Sequence, residues 1–275
     1  MQASSPITNK FNTMKIKIFL PLACLLSIML ATQSMQAQYA RFIESGVVTF
    51  EKRVNMYAKI QSRYGKSRSS FMEQALEQYK RTQPQFKSFN YNLAFDGSRT
   101  RFWPLNDQTT PSGGFFGDDP SIDMGNTIVT DLLAGQSIGQ KSVYEQTYLI
   151  TDSTRRIQWR ITNETREIAG YECRRANALV LDSIYVVAFY TDQIPVSGGP
   201  ESFTGLPGMI LGVALPYENT TYFATKVDDR PVTAKELEAP KKGKAVNYRE
   251  LRAELEASLK DWGEYAQPIF KAMLL

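Results

Sequence analysis

The residues able to do chemistry are few, and what is missing narrows the choices as much as what is present. The 275-residue chain contains no histidine. That removes Ser-His-Asp and Cys-His catalysis, histidine-ligated zinc and a histidine pH switch together. Two cysteines remain, Cys24 and Cys173. The first lies in a stretch that reads as a cleaved leader, and one thiol cannot close an internal disulfide. Cys173 follows Glu172, whose charge would raise rather than lower a nearby thiol's pKa. It is either buried and inert or exposed and open to an intermolecular contact. The densest acidic group, Asp118, Asp119 and Asp123, falls in the Gly/Pro/Ser-rich stretch 111–125. Three loop carboxylates could help hold calcium, yet their spacing does not fit a twelve-residue calcium loop and no Glu stands at its twelfth position. A solvated loop is the simpler reading. Carboxylate pairs such as Asp118–Asp119 or Glu164–Glu167 would suit glycoside hydrolysis only at a spatial separation that sequence does not set. Ser197-Gly198-Gly199 lacks the Gly-Lys-Ser/Thr of a phosphate loop. No catalytic residue, metal ligand or cofactor is assigned.

Two short strings suggest modification instead. Asp152-Ser153-Thr154 and Asp182-Ser183-Ile184 resemble the Asp-Ser/Thr-apolar sequence at which some Gram-negative envelope proteins are O-glycosylated, making Ser153 and Ser183 candidate acceptors. Asp-Ser is also ordinary turn chemistry.

Hydrophobic residues make up 43% of the chain, aromatic residues 12% and charged residues 22%, enough apolar material for a packed core. The formal charge of +4 is concentrated at one end: residues 1–37 carry Lys10, Lys15 and Lys17 and no acid. The rest is close to neutral and has no basic stripe, which argues against a nucleic-acid partner. Within that leading segment, Lys15 and Lys17 precede an apolar run from Ile18 to Ala31, and Met35-Gln36-Ala37 offers a small residue before a cut. We expect a signal peptide over 1–37, with 1–13 as an upstream extension and cleavage after Ala37. Lipidation at Cys24 would need the apolar run to end there, whereas Leu25 to Leu30 continue it. The run is short of the ~20 residues that span a bilayer. No transmembrane helix is expected after cleavage, and an exported protein is.

The body, 38–275, reads as a single β-rich domain. Gly46 to Val54 has the β-branched texture of a strand. Ser70-Phe71-Met72-Glu73 has capping-box spacing, and Phe71, Met72, Ala75, Leu76 and Tyr79 follow at helical period, predicting a helix over 70–82. From Phe89 onward, short strand-like runs recur: Phe89 to Phe95, Thr100 to Trp103, Thr127 to Leu133, Lys141 to Thr151, Arg156 to Thr162, Tyr171 to Leu181, Ile184 to Thr191, Met209 to Leu215 and Thr220 to Val227. Their connections carry Asp96-Gly97, Asp152-Ser153, Asn163-Glu164, Ala169-Gly170 and Asp182-Ser183. This predicts an antiparallel meander rather than alternating βαβ units. Thr233 to Glu236 has capping-box spacing, and Asn247 to Glu250 opens a helix over 247–262 with Leu251, Leu255, Leu259 and Trp262 on one face.

The most distinctive string is Gly205-Leu206-Pro207-Gly208-Met209-Ile210. Pro followed by Gly suits a type II turn into the apolar strand that begins at Met209. The string resembles the motif of the GLPGLI family of exported bacterial proteins, with Met209 for Leu, a nearly volume-neutral change. Upstream, Ile168 to Ala176 is similar to that family's I-x-G-Y-x-C-x-K-A segment, through Gly170, Tyr171 and Cys173, with Arg175 for Lys. Ala188-Phe189-Tyr190-Thr191 through Ile194-Pro195 and Gly199-Pro200 is similar to its A-W-Y-T…I-P…G-P segment, with Phe189 for Trp. Trp159 begins this motif-bearing stretch. The resemblance covers roughly 46–221. It implies an exported protein of the Gram-negative envelope, periplasmic or associated with the outer membrane, some relatives being encoded near outer-membrane transport systems, but it supplies no catalytic residues because the family has no established activity.

The expected fold is mainly β (α+β): a curved antiparallel sheet meander, in the extreme a half-barrel, with a helix near 70–82 and a C-terminal helix. The leading functional expectation is a non-catalytic envelope protein binding an apolar, lipid-like ligand or an outer-membrane transport partner. A carboxylate-based hydrolase and a purely structural assembly component are the alternatives.

Overall fold

The computed structural model describes residues 42–64, 70–105, 116 and 119–275. The expected signal peptide, Cys24 and Asp118 lie outside these residues. Twelve strands among them form one sheet. The first six run as β1 (Ser45–Asn55), β2 (Phe86–Asp96), β3 (Arg99–Pro104), β4 (Thr127–Asp131), β5 (Gln136–Val143) and β6 (Gln146–Ser153). The next five are β7 (Arg160–Ile168), β8 (Tyr171–Val180), β9 (Ile184–Thr191), β10 (Met209–Leu215) and β11 (Thr220–Asp229), and β12 (Lys244–Val246) follows. Their spatial order is β12-β6-β5-β4-β3-β2-β1-β11-β10-β9-β8-β7. Two antiparallel meanders are thus joined where β1 pairs with β11, and the sheet is mixed because β12 adds to β6 in parallel. It is not closed into a barrel; β12 and β7 are its edges.

Alternation in the strands explains which face is buried. β5 alternates strictly, with Ser137, Gly139, Lys141 and Val143 inward. β10 lies near the centre of its meander and is buried at six of its seven residues, consistent with its unbroken apolar sequence. The interior face is filled by Phe50, Tyr91, Leu93, Phe95, Phe102 and Phe203. Tyr91 and Phe102 stack at 4.6 Å between ring centres, and Phe50 meets Phe102 edge-on at 6.4 Å. Such pairs add about 0.5–1.5 kcal/mol each beyond the area they bury.

Four helices accompany the sheet among the described residues. The predicted helix is present as α2 (Ser70–Thr82), following α1 (Met56–Tyr64), which periodicity did not suggest. A signal for α1 existed: Asn55 caps it, its side-chain oxygen accepting from the Ala58 N–H at 3.1 Å. α2 buries Leu76 and Tyr79, with Met72 and Ala75 packed against the same cluster, while Phe71 is exposed. At the other end, α3 (Tyr248–Ser258) opens on the Asn247–Glu250 capping box. Leu251, Leu255 and Leu259 pack with Val143, Tyr148 and Ile150 of the sheet. The predicted single helix to 262 instead passes into a tight 3-10 segment, 260–266, broken by Gly263 at φ +54°, and continues as α4 (Gln267–Leu274). Trp262 does not share the buried stripe and is 42% exposed.

Two strand boundaries differ from expectation for identifiable reasons. The run Lys141 to Thr151 is two strands, β5 and β6, turning at Tyr144–Glu145 without Gly, Asn or Pro to mark it; Tyr144 takes φ +51°. The expected Asn163-Glu164 connection lies inside β7, where the register shifts between Ile161 and Thr165. There the extra residues form a bulge, held by Thr162 Oγ1 donating to the Arg175 carbonyl and by Arg175 paired with Glu164 at 2.6 Å.

The corner before β10 is tighter than a type II turn. The Gly208 N–H donates to the Leu206 carbonyl at 2.8 Å, closing a three-residue turn around Pro207, while the Met209 N–H donates to Ile194 at 2.9 Å. Gly208 has φ +149°, and a Cβ there would stand 2.1 Å from the Thr191 carbonyl oxygen. Gly205 has φ +95°, but a Cβ would meet only the Trp159 ring at 3.5 Å, an ordinary contact. The two glycines should therefore respond differently to substitution. Gly208→Ala is expected to lose roughly 2–3 kcal/mol from backbone clash, and Gly205→Ala about 1 kcal/mol from φ alone. Urea unfolding midpoints of the two variants check this; equal losses would contradict the close-approach explanation.

Candidate functional site

Inside the sheet lies a polar cluster that no motif announced. β1 contributes Lys52, β2 Tyr91, β5 Lys141 and β11 Tyr222. The segment before β4 contributes Asp123 and Asn126, and the loop between β9 and β10 contributes Glu201. Lys52 pairs with Asp123 at 2.8 Å with both side chains largely buried, and the Tyr91 hydroxyl donates to the same carboxylate oxygen. The Lys52 ammonium also lies 5.6–6.0 Å from the ring centres of Phe89, Tyr91 and Tyr222. Glu201 accepts from Tyr222 at 3.1 Å and from the Asn126 amide at 2.9 Å. Burial, then the neighbouring carboxylates Asp123 and Glu201, push both tyrosines well above the usual phenol pKa, so each stays a donor.

The cluster connects to the surface. Lys52, Asn126, Glu201 and Tyr222 line a small void of about 50 Å3 that also touches Lys59, Glu218, Pro268 and Lys271. These last four also line an open cleft of about 900 Å3 between α1, the turn at Tyr217–Asn219 and the segment 261–268. A side cavity of about 190 Å3, lined by Lys59, Arg63, Tyr64, Phe116, Tyr144 and Trp262, adjoins α1. Lys59 borders all three spaces. Its side chain is 8% exposed and makes no hydrogen bond or ion pair among the described residues. Burial depresses its pKa, with Asp119 and Glu218 opposing that shift from a distance. The other cations at the cleft are engaged: Arg63 with Asp119 and the Tyr265 carbonyl, Lys271 with Glu218 at 2.6 Å. The cleft rim is aromatic, with Tyr217, Trp262 and Tyr265 exposed. Tyr64 lies 5.8 Å from Tyr265, and Tyr144 lies 5.8 Å from Trp262.

The residues singled out from sequence fall mostly elsewhere. Trp159 donates its indole N–H to the Thr204 carbonyl at 2.8 Å, and the Gly205 N–H donates to the Ser197 hydroxyl at 3.0 Å. Leu206, Gly208 and Ile210 are buried in the corner, Pro195 and Pro207 exposed on it. Gly170 sits in the β7–β8 turn, and Tyr171 packs against the core at the start of β8. Ala188 and Tyr190 of β9 are buried, as is Cys173, whose thiol is pushed up to about 12 by burial and by Glu172. Cys173 is thus an inert core residue. Asp119 and Asp123, neighbours in sequence, are held by different cations on different elements. Ser153 is the last residue of β6, so the expected Asp152-Ser153 connection lies within that strand, and Ser183 stands in the β8–β9 turn; both are exposed. The corner nonetheless bears on the site, because the loop it anchors carries Glu201. A buried Glu at φ +52°, two residues after Gly199, leaves no mark in sequence beyond Gly-Pro-Glu.

Among known proteins, a family model described as "Protein of unknown function (Porph_ging)" matches residues 179–212. That stretch contains β9 and the corner, including Ala188, Tyr190, Pro195 and Gly205 to Ile210. No curated protein matches the chain. Solved structures similar to it include PNGF-II in one space group, at TM-score 0.49 and 12% identity over 77% of this chain and 33% of that one. A second space group of PNGF-II gives 0.48 and 12% over 76% and 32%. An uncharacterized conserved protein from Thermus thermophilus gives 0.37 and 8% over 79% and 98%. The chain therefore spans about a third of PNGF-II, at scores too low to carry function. Among the described residues no helix is long and apolar enough to cross a membrane.

The buried pair makes a direct prediction. Asp123→Ala strands Lys52 in the interior and is expected to cost about 3–5 kcal/mol, whereas Lys52→Met with Asp123→Leu should recover most of that loss. Urea denaturation of the two variants decides it; a double variant as unstable as the single would overturn the unpaired-charge explanation.

Proposed function

We propose that the chain is a non-catalytic, exported binding protein of the cell envelope, periplasmic or associated with the outer membrane, whose ligand is an amphiphile with an anionic head. Export rests on the leader-like stretch Lys15 to Ala37. The observation that carries the ligand reading is Lys59, a nearly buried cation without a partner where the cleft, the side cavity and the interior void meet. An anionic head would supply the missing partner in a low-dielectric place, where a charge-assisted hydrogen bond is strong. The exposed rings of Trp262, Tyr265 and Tyr217 offer an apolar wall for the body of such a ligand, and the cleft volume is in the range of small-molecule sites. Because the sheet interior is filled with its own aromatic side chains, the ligand belongs in the cleft rather than against the strands. Asp119 and Asp123 are each locked in an ion pair, which favours binding over a carboxylate-driven hydrolysis.

Dodecanoate is a suitable probe, with Trp262 as reporter. Dodecanoate should change tryptophan emission saturably, and Trp262→Phe should abolish the change. Lys59→Met should weaken apparent affinity roughly ten- to a hundredfold, the worth of one charged hydrogen bond. Dodecanol should bind no better to the wild type than to the Lys59 variant. An affinity for dodecanoate indifferent to Lys59→Met would refute the site.

A further inference from the structure

Lys141 is the most deeply buried charged side chain among the described residues, 1% exposed, and its Nζ has no hydrogen-bond partner. An orphan amine in a core is costly. Its surroundings suggest why it is there. In the β4–β5 ladder Thr127 lies opposite Gln140 and Ile128 opposite Gly139, so Asn126 and Lys141 are the next residues along the two strands. Both are buried and continue the same inward-facing rows, Asn126 with Ile128 and Thr130, Lys141 with Ser137 and Gly139. Asn126 is half satisfied: its Nδ2 donates to Glu201 Oε2 at 2.9 Å, while its buried Oδ1 has no partner. Glu201 is itself 7% exposed and held at φ +52°, a backbone conformation that costs free energy for a non-glycine residue. The Tyr222 hydroxyl fixes its other oxygen at 3.1 Å. Lysine, asparagine and glutamate are therefore neighbours in the interior, Lys141 next to Asn126 across the ladder and Asn126 bonded to Glu201.

We propose that Lys141 and Asn126 join in an intramolecular isopeptide bond, with Glu201 carrying the proton. The neutral Lys141 amine attacks Asn126 Cγ, forming the new C–N bond as the carbonyl electron pair moves onto Oδ1. The intermediate collapses by breaking the Cγ–Nδ2 bond, and the proton shed by Nζ passes through Glu201 to Nδ2, which leaves as ammonia. Amine and primary amide become a secondary amide and ammonia; nothing is oxidised or reduced, and no co-reactant is needed. Burial lowers the Lys141 pKa to about 8, opposed by Glu201, which leaves a usable fraction of neutral nucleophile at neutral pH. The void beside Asn126 and Glu201, bordered also by cleft residues Lys59 and Lys271, gives ammonia a way out. The bond would staple β4 to β5 at the end away from their turn and remove a free charge from the core.

Peptide mapping of the purified protein tests this directly. Trypsin does not cut after an acylated lysine, and Lys141 is the sole tryptic site between Arg101 and Arg155. The expected product is one peptide, Phe102 to Arg155, lighter by one ammonia, with fragment ions linking Asn126 to Lys141. Lys141→Met and Asn126→Ala should each restore the mass their sequence dictates. Glu201→Gln, which keeps size and hydrogen bonding, should restore both full mass and cleavage at Lys141 while far-ultraviolet circular dichroism stays native. Wild-type protein cut at Lys141 into two peptides of unmodified mass would overturn the bond. A linked, ammonia-deficient peptide in Glu201→Gln would overturn the role given to Glu201.

Discussion

The register of β1 is the constraint on which the rest depends. This strand carries two antiparallel ladders, to β2 on one side and to β11 on the other, and so holds the N-terminal and C-terminal meanders together. Register places Phe50 beside Tyr91, and Lys52 beside both Phe89 and Tyr222. A slip of one residue would turn Lys52 to solvent and bring Glu51 and Arg53 inward, dismantling core and polar cluster together. Pairing of Lys52 with Asp123 turns a costly buried charge into a specification of that register.

The second constraint is the corner at Gly205 to Gly208. Its approach to the Thr191 backbone closes the long connection between β9 and β10 on itself, with Ile194 accepting from Met209 and Gly198 accepting from Ile210. A loop pinned at both ends can hold Glu201 in a strained conformation inside the sheet, against Tyr222 and Asn126. Thus the string most visible in sequence is a backbone device, and the chemistry lies a few residues away. The cleft has a different origin. It is lined by α1, by the turn Tyr217–Asn219 before β11 and by the segment around Gly263.

The sequence made the meander legible because period-two alternation and Asp-Gly, Ala-Gly and Asp-Ser turns are local signals. The helix over 70–82 and the Asn247 cap were readable for the same reason. Signals failed where tertiary contacts decided the outcome. The β5–β6 turn uses Tyr144 at positive φ, β12 gains its strand character only from β6, and α4 follows a glycine break that no periodicity foretells. For the site, Asp123 was noticed as one of a cluster, yet its partner Lys52 is 71 residues away on another strand. Lys59, Asn126, Lys141 and Glu201 look in sequence like ordinary surface residues. Only the fold shows that they are buried: among the described residues Lys59 and Lys141 lack a partner for their amines, Asn126 lacks one for its Oδ1, and Glu201 is held by Tyr222 and Asn126.

A crystal structure of the protein with dodecanoate would test the central claim, that the lysine-centred junction beneath the cleft is a ligand site. The account places the carboxylate within hydrogen-bonding distance of Lys59 Nζ, with the chain lying along Trp262 and Tyr265. A carboxylate bound elsewhere, or a chain inserted among Phe50, Phe95 and Phe102, would contradict it.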